Sequence, residues 1–255
     1  MKCVFISDLH IKEAGDNASN LFLSFCRHEE TLTSDKIFFL GDIFDLLIGN
    51  HEEYLEQYQF YFKEITILLD KNIEVFFVEG NHDFEFKSVA ESYMKENSKS
   101  WENYKYLVTG EYINLNQEKY YFCHGYEVDY FNKHFKRWFK VYTSDLFRFF
   151  ISRIFSHSLI QNLGKKASGN SKKRGRKSFD FNEMRRKYLL GAKALIKDKK
   201  VKGVIAGHTH VAAFETFDNG IQYFNCGYPI KDKFFVYFNG KSFDKIKIKS
   251  TLSSE

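Results

Sequence analysis

The sequence predicts an α/β fold of four layers, an αββα sandwich with two sheets face to face and helices outside, and three observations carry that expectation. Short apolar runs at residues 3–7, 36–40 and 74–78 are rich in Val, Ile and Phe and stop abruptly at Asp8, Gly41 and Glu79-Gly80, the mark of strands buried on both faces. Helical patterns lie between them, at about residues 18–30 and 53–70, so the first third alternates strand and helix. Two further runs, 120–123 and 201–206, have the same character, and beyond residue 208 the texture changes to strands at 211–217, 221–225, 234–238 and 245–249. Asp218-Asn219-Gly220 and Asn239-Gly240 punctuate that last part as hairpin turns, so an antiparallel meander is expected there.

At 255 residues, with 29 Phe and 16 Tyr against a single Pro, the chain can fill one large core, and disorder over most of its length is excluded. A single domain spanning 1–255 is expected. Residues 129–200 break the strand rhythm and read as an inserted lid: aromatic and basic helix to about 160, a polar stretch at 164–177, then another helix from about 181. The net charge of +5 conceals an asymmetry. Residues 133–187 hold 16 Lys or Arg against three acids, a net +13, which leaves −8 for the remainder. An acidic body carrying one basic insert fits the handling of an anionic partner, whether nucleic acid, acidic lipid or nucleotide diphosphate.

The four cysteines show no close pairing, and Cys3, Cys123 and Cys226 fall in strand-like stretches, so free buried thiols in a reducing compartment are expected. Met1 leads directly into the first strand without a signal-type region, and no window reaches the roughly 18 apolar residues that a membrane span needs. A cytoplasmic protein is therefore the expectation, with peripheral contact to the inner face of the cytoplasmic membrane still open.

The chemistry is written at the ends of the strands. Asp8-Leu9-His10 ends the first, and two residues apart on an extended segment would point one carboxylate and one imidazole to the same side. Gly41-Asp42 follows the second, where a glycine permits a tight turn and a carboxylate can bridge two cations. Gly80-Asn81-His82-Asp83 follows the third and sets an amide oxygen beside a proton carrier. Cys123-His124-Gly125 and Gly207-His208-Thr209-His210 add three imidazoles after later strands. A single histidine is usually a satisfied structural residue. Five separate segments that each place Asp, Asn or His at the end of an apolar strand are a different matter, because ligand sites of layered α/β folds collect there. The donors are oxygen and nitrogen with no thiolate, which suits Mn²⁺, Fe or Zn²⁺ in a catalytic rather than a structural site.

This ordered set resembles the calcineurin-like metallophosphoesterases over residues 1–226. The resemblance implies that Asp8, His10, Asp42 and His210 hold one metal, and that Asp42, Asn81, His124 and His208 hold a second, with Asp42 shared. It further implies that His82 stabilises the transition state or protonates the leaving group, oriented by Asp83. Within that superfamily the stretch Gly41-Asp42-Ile43-Phe44-Asp45-Leu46-Leu47-Ile48-Gly49-Asn50 is similar to the UDP-2,3-diacylglucosamine hydrolases of lipid A synthesis, which also insert a basic helical lid between the His-Gly and Gly-His-x-His motifs. That similarity implies a two-ion hydrolase, usually with Mn²⁺, that cleaves a pyrophosphate to release UMP and a lipid monophosphate. Asn81, Ser171, Arg174 and Lys177 are the expected substrate contacts. The lid aromatics Phe131, Phe135, Trp138, Phe139, Tyr142, Phe147, Phe149, Phe150 and Phe155 are expected either to accept acyl chains or to pack the lid helices together. Three positions depart from the better-known hydrolases, which carry Arg at His82, Asp at Tyr126 and Arg at Val211. A nuclease or phosphodiesterase using the same ions is the alternative, and a non-catalytic scaffold of the same fold is a third reading that the intact ligand set argues against.

Overall fold

The computed structural model describes residues 1–131, 133–162 and 181–249. Its helices are labelled α1 (Asn17–Cys26), α2 (Glu29–Leu32), α3 (Glu53–Gln57), α4 (Gln59–Asp70), α5 (Lys87–Asn97), α6 (Lys133–Tyr142), α7 (Asp145–Arg153), α8 (Phe181–Lys199) and α9 (Pro229–Asp232). The strands are β1 (Cys3–Ile6), β2 (Lys36–Phe39), β3 (Leu47–Ile48), β4 (Glu74–Val78), β5 (Asp83–Phe84), β6 (Tyr104–Leu107), β7 (Glu111–Leu115), β8 (Glu118–Phe122), β9 (Gly203–Ala206), β10 (Ala213–Thr216), β11 (Gln222–Asn225), β12 (Phe234–Phe238) and β13 (Phe243–Lys247).

A six-stranded sheet runs β13-β12-β1-β2-β4-β6, and a five-stranded sheet runs β10-β11-β9-β8-β7. Strands β1, β2, β4 and β6 are mutually parallel, as are β8, β9 and β11. The two-residue alternation of strand side chains explains the layers. Val4, Ile6, Ile37, Phe39, Val75 and Phe77 face a helical layer built on Phe22 and Phe25 of α1 and Tyr61, Ile65 and Leu68 of α4. Their neighbours Cys3, Phe5, Phe38, Leu40 and Val78 face the other sheet, where Tyr120, Phe122, Ile205 and Phe224 meet them. The far side of that second sheet, with Tyr121, Val204, Ala206 and Tyr223, is covered by Ala192, Leu195 and Ile196 of α8. The helix–sheet–sheet–helix order is the αββα sandwich.

Two expectations shift. The C-terminal strands are not one meander: β10 and β11 extend the second sheet, whereas β12 pairs antiparallel with β1 and with β13 in the first. Strand β12 is apolar along its whole length and buried at every position, so it needs cover on both faces, which only the sandwich interior supplies. Helix α8, in turn, belongs to the outer layer of the sandwich, so the segment set apart from the sandwich stops short of residue 200. Helices α6 and α7 sit on the small β3–β5 ladder, where Phe84, Tyr142 and Ile151 are buried together with Ile48, Phe139 and Phe147 packed around them. No helix among the described residues is long and apolar enough to cross a membrane. All four cysteines are free and buried.

Phe38 ties the two sheets together. Its ring stacks on Phe5 and Phe76 at 4.6 and 4.7 Å within its own sheet and meets Phe122 of the second at 4.7 Å. Phe38→Ala should lower the unfolding free energy by about 3–5 kcal/mol, since neighbours fixed in two sheets cannot collapse into the gap. Urea unfolding measures this, and a loss below about 1 kcal/mol would mean the sheets are not joined through this ring.

Candidate metal centre

Every expected ligand lies beyond the carboxyl end of a strand, with β1, β2 and β4 supplying one side of the site and β8 and β9 the other. Asp8, His10 and His210 bring one ligand atom each to within 4.8 Å of one another, and so do Asp42, His124 and His208. Two donor sets therefore form, each drawing on both sheets.

The carboxylates share a design in which one oxygen is tethered and the other is aimed. Asp42 Oδ1 accepts the His82 amide at 2.9 Å, while Oδ2 lies 3.9 Å from His10 Nε2 and 3.6 Å from His124 Nε2, between the two sets. Asp8 Oδ2 accepts from the Ser7 hydroxyl and from the His208 amide at 2.8 Å, leaving Oδ1 facing His210 Nε2 at 3.2 Å. His124 Nδ1–H donates to the Leu40 carbonyl at 2.6 Å, which turns its Nε2 toward Asp42.

Three features fit this set to divalent ions. His10 Nε2 and His210 Nε2 face each other at 3.2 Å, as do His208 Nδ1 and His124 Nε2, so imidazole nitrogens converge where a cation would take the place of a shared proton. Asn81 Oδ1 is buried with no hydrogen-bond partner, an arrangement that is costly unless something electropositive is bound. The donors are carboxylate, amide and imidazole, a set suited to Mn²⁺, Fe or Zn²⁺.

The backbone departs from the sequence expectation. Asp8 and His10 do not lie on an extended segment: both have φ in the left-handed region, at 55° and 53°, as do Asp42 at 52°, His208 at 66° and His210 at 54°. Left-handed turns, not strand alternation, bring each pair to one side. Such a conformation costs a residue other than glycine about 1 kcal/mol or more, and its concentration here is backbone strain gathered at a functional site. Gly41 and Gly80 permit the loops to touch: a Cβ on Gly41 would lie 2.7 Å from the Gly80 Cα and 2.6 Å from the His124 ring.

Asp83 is not the orienting partner of His82. Its carboxylate is fully buried and gathers the amides of Asp42 at 2.8 Å, Ile43 at 2.6 Å, Phe44 at 3.1 Å and Gly80 at 3.0 Å, splicing the loop after β2 to the loop after β4. His82 is oriented instead by the Asp45 carbonyl, which accepts from its Nδ1–H at 2.7 Å. The Asp45 carboxylate also lies within 4.8 Å of His10 and His82 ligand atoms. Sequence reasoning missed Asp45, although it closes the Gly41-Asp42-Ile43-Phe44-Asp45 run. It also missed Tyr228, whose ring stacks on His210 at 4.9 Å and 3°, and Asn225, whose amide holds the Gly207 carbonyl at 2.7 Å. Tyr126, one of the departures, is buried with its ring against His124 and His208 at 4.7 and 5.2 Å. Val211 is buried too. Ser171, Arg174 and Lys177 lie outside the described residues.

Electrostatics divides the imidazoles. Burial alone would raise the Asp42 carboxyl, but His124, His82 and His10 hold it well below the ordinary carboxylate range. Burial disfavours charge on His124 as well, yet Asp42 and Asp8 outweigh it and push that group up to about 10. His208, buried beside a charged His124, is lowered to about 4. Without ions, His124 therefore keeps a proton at neutral pH, and an imidazole ligates only when neutral. Because its pKa is raised, the proton is present below about 10, and metal affinity should climb as pH rises toward that value. Titration of Mn²⁺ or Zn²⁺ in buffers of different ionisation enthalpy should show at least one proton released per chain near neutral pH, since His210 beside Asp8 is raised as well. No release would place the charge elsewhere.

The profile of the calcineurin-like phosphoesterases matches residues 1–212. The chain is 34% identical over 126 residues, 49% of each chain, to a Histophilus somni protein named UDP-2,3-diacylglucosamine hydrolase. It thus spans about half the length of that relative. A protein of the same name in Wigglesworthia glossinidia brevipalpis is 25% identical over 229 residues, covering 86% of this chain and 83% of that one. The structure of an archaeal phosphodiesterase superposes with a TM-score of 0.49 at 15% identity, over 97% of this chain and 99% of that one. With its profile matched from the first strand through the last histidine pair, the chain belongs to the calcineurin-like phosphoesterase family, and its residues bring together candidate ligand sets for divalent metal ions.

Proposed function

We propose that this hydrolase cleaves the pyrophosphate of an acylated sugar nucleotide, UDP-2,3-diacylglucosamine, to UMP and a 2,3-diacylglucosamine 1-phosphate. The observation that carries the proposal is the lid. Val141, Leu146, Phe149, Phe150, Ile154 and Leu159 are all exposed, at 41 to 69% of their surface, on a segment that also holds the +13 charge of residues 133–187. A substrate with a diphosphate head and acyl chains needs cationic and apolar surface from one element, whereas a nucleotide alone needs little of the second. The names of the Histophilus and Wigglesworthia relatives support the same substrate. Not all the lid aromatics are available for it: Tyr142 is buried, and Phe139 and Phe147 pack at the lid base.

In this reading one ion is held by Asp8, His10, Asp42 and His210, and the other by Asp42, Asn81, His124 and His208; the donors suit Mn²⁺, Fe or Zn²⁺, and the resemblance to the UDP-2,3-diacylglucosamine hydrolases implies Mn²⁺. When bound, such a pair acidifies a water into a nucleophile and neutralises charge building on the phosphoryl oxygens. The chain's own residues do the rest. Asp42 keeps the two donor sets at a fixed separation. His82, with Nδ1–H committed to the Asp45 carbonyl, presents Nε2 to donate a proton to the departing phosphate oxygen. The Tyr126 and Tyr228 rings wall the imidazoles on either side and limit water. The single domain's lid rests on the anionic inner face of the cytoplasmic membrane, drawn by its charge and held by its exposed side chains, which places the protein in the cytoplasm at that surface.

Asp42→Ala should abolish hydrolysis and leave at most one bound ion, counted by elemental analysis. His82→Ala should keep both ions and lower kcat by about 10². A two-ion, fully active Asp42→Ala protein would sink the shared-ligand assignment, and loss of ions from His82→Ala would show that it is a ligand. For the substrate, Phe149→Ala/Phe150→Ala should raise KM for UDP-2,3-diacylglucosamine about tenfold and leave bis-p-nitrophenyl phosphate hydrolysis unchanged. Turnover of single-stranded nucleic acid in place of the acylated nucleotide would move the assignment to a nuclease.

A further inference from the structure

Glu79, the residue just ahead of Gly80-Asn81-His82-Asp83, is a fully buried carboxylate with an unusual number of donors on it. Its Oε1 accepts from the Glu85 amide at 2.7 Å, the Tyr106 hydroxyl at 2.7 Å and Arg148 Nη2 at 2.8 Å. Its Oε2 accepts from the Tyr142 hydroxyl at 2.8 Å and Arg148 Nη1 at 2.7 Å. Two of these partners come from the lid, Tyr142 from the end of α6 and Arg148 from α7. Arg148 also forms an ion pair with Glu85. One guanidinium from the lid therefore spans both ends of the loop 79–85, and Tyr142 reaches the Gly80 carbonyl at 3.4 Å.

This arrangement is more than is needed to seat two helices. The apolar contacts of Phe139, Phe147 and Ile151 on Phe84 and Ile48 already provide a dry base for the lid. Placing a buried carboxylate there adds a desolvation penalty that apolar packing would avoid, so a role beyond adhesion is implied. The loop so clamped carries Asn81 and His82. Its opposite side is fixed by the sandwich, through the His82 amide on Asp42 and His82 Nδ1–H on the Asp45 carbonyl. Without Arg148 the two carboxylates at the loop ends would face each other with their bridging charge gone, and Glu85 would be free to draw away. Lysine offers the charge but not the fork that grips two carboxylates at once.

We propose that Glu79 and Arg148 are positioning residues, a latch from lid to loop that sets Asn81 and His82 in the site, so that seating of the lid governs the rate of the chemical step as well as the grip on substrate. The latch acts on the loop and touches no substrate, so its effect is independent of which phosphoester is the natural one, and a small diester reports it.

The test uses the metal-loaded full chain with bis-p-nitrophenyl phosphate, rates being expressed per folded molecule. Arg148→Met should lower kcat about 10- to 100-fold with little change in KM, the cost of a group misplaced by about an ångström. Arg148→Lys should recover part of the loss. Hydrogen exchange at amides of residues 80–85 should quicken more in Arg148→Met than in Ile151→Ala, which loosens the lid on Phe84 without touching the latch. The double variant Glu79→Gln/Arg148→Met removes both charges and should regain melting temperature without regaining kcat. Tyr142→Phe gives a milder perturbation, with a smaller fall in kcat, if Arg148→Met does not fold. Wild-type kcat in Arg148→Met, or in Tyr142→Phe and Arg148→Lys should Arg148→Met not fold, would overturn the proposal. So would kcat returning together with stability in the double variant, or exchange at 80–85 that quickens no more than in Ile151→Ala.

Discussion

Asp42 Oδ2 stands between His10 Nε2 and His124 Nε2, and so links imidazoles delivered by different sheets into one electrostatic unit. Most of the surrounding structure can be understood as keeping that atom in place. The carboxylate is buried, and burial opposes its charge, so the imidazoles around it are required for it to remain ionised. They in turn are held by a carbonyl on His124, by the Asp8 carboxylate beside His210 and by the Tyr228 ring stacked upon it. A site that crowds carboxylates and imidazoles so closely is unfavourable on its own. Divalent ions convert the same crowding into affinity, because each aimed oxygen and nitrogen then finds a charge of the opposite sign.

Backbone conformation is the second constraint. Five of the expected ligands sit in the left-handed region, where hydrogen bonding and packing from both sides keep them. Asp83 supplies much of that support by collecting amides from the Asp42 turn and from Gly80, and Ser7 with the His208 amide fixes Asp8. The rigid parallel strands behind these turns are buried, so the strain has nowhere to relax. The stability of the aromatic core and the geometry of the ligand turns are thus one problem.

The lid divides into two kinds of surface. Its base, built on Tyr142, Ile151, Phe139 and Phe147, is packed on the β3–β5 ladder, while the side chains of Leu146, Phe149 and Ile154 point into solvent from the same short helix and its end. Exposed apolar groups gathered on one element are suited to meeting another apolar surface, which is what the proposed acylated substrate would offer. The fold thereby joins the lid to the loop that bears His82 through the Arg148 guanidinium and the Tyr142 hydroxyl.

Much of this was legible in the residues themselves. Strand alternation, abrupt strand ends and the order Asp8-x-His10, Asp42, Asn81-His82, His124, His208-x-His210 were enough for the layered fold and for marking candidate donors that the fold brings together, because chemistry in such folds gathers at strand termini. Other features could not be read locally. Short polar strands such as β7, exposed at most positions, carry no apolar run to announce them. That β12 pairs with β1 rather than continuing a meander depends on which sheet has an edge to fill, a fact about the whole chain. Asp83 and His82 are adjacent in sequence, yet the turn sends their side chains to different partners, and only the assembled loops show that Asp45 orients the histidine. Glu79 and Arg148 lie 69 residues apart, and nothing in either neighbourhood marks the pair. Residue identity determined which atoms could bind ions and protons. Tertiary structure decided which of them face one another, because the angles of turns and the pairing of charges depend on contacts between segments distant along the chain.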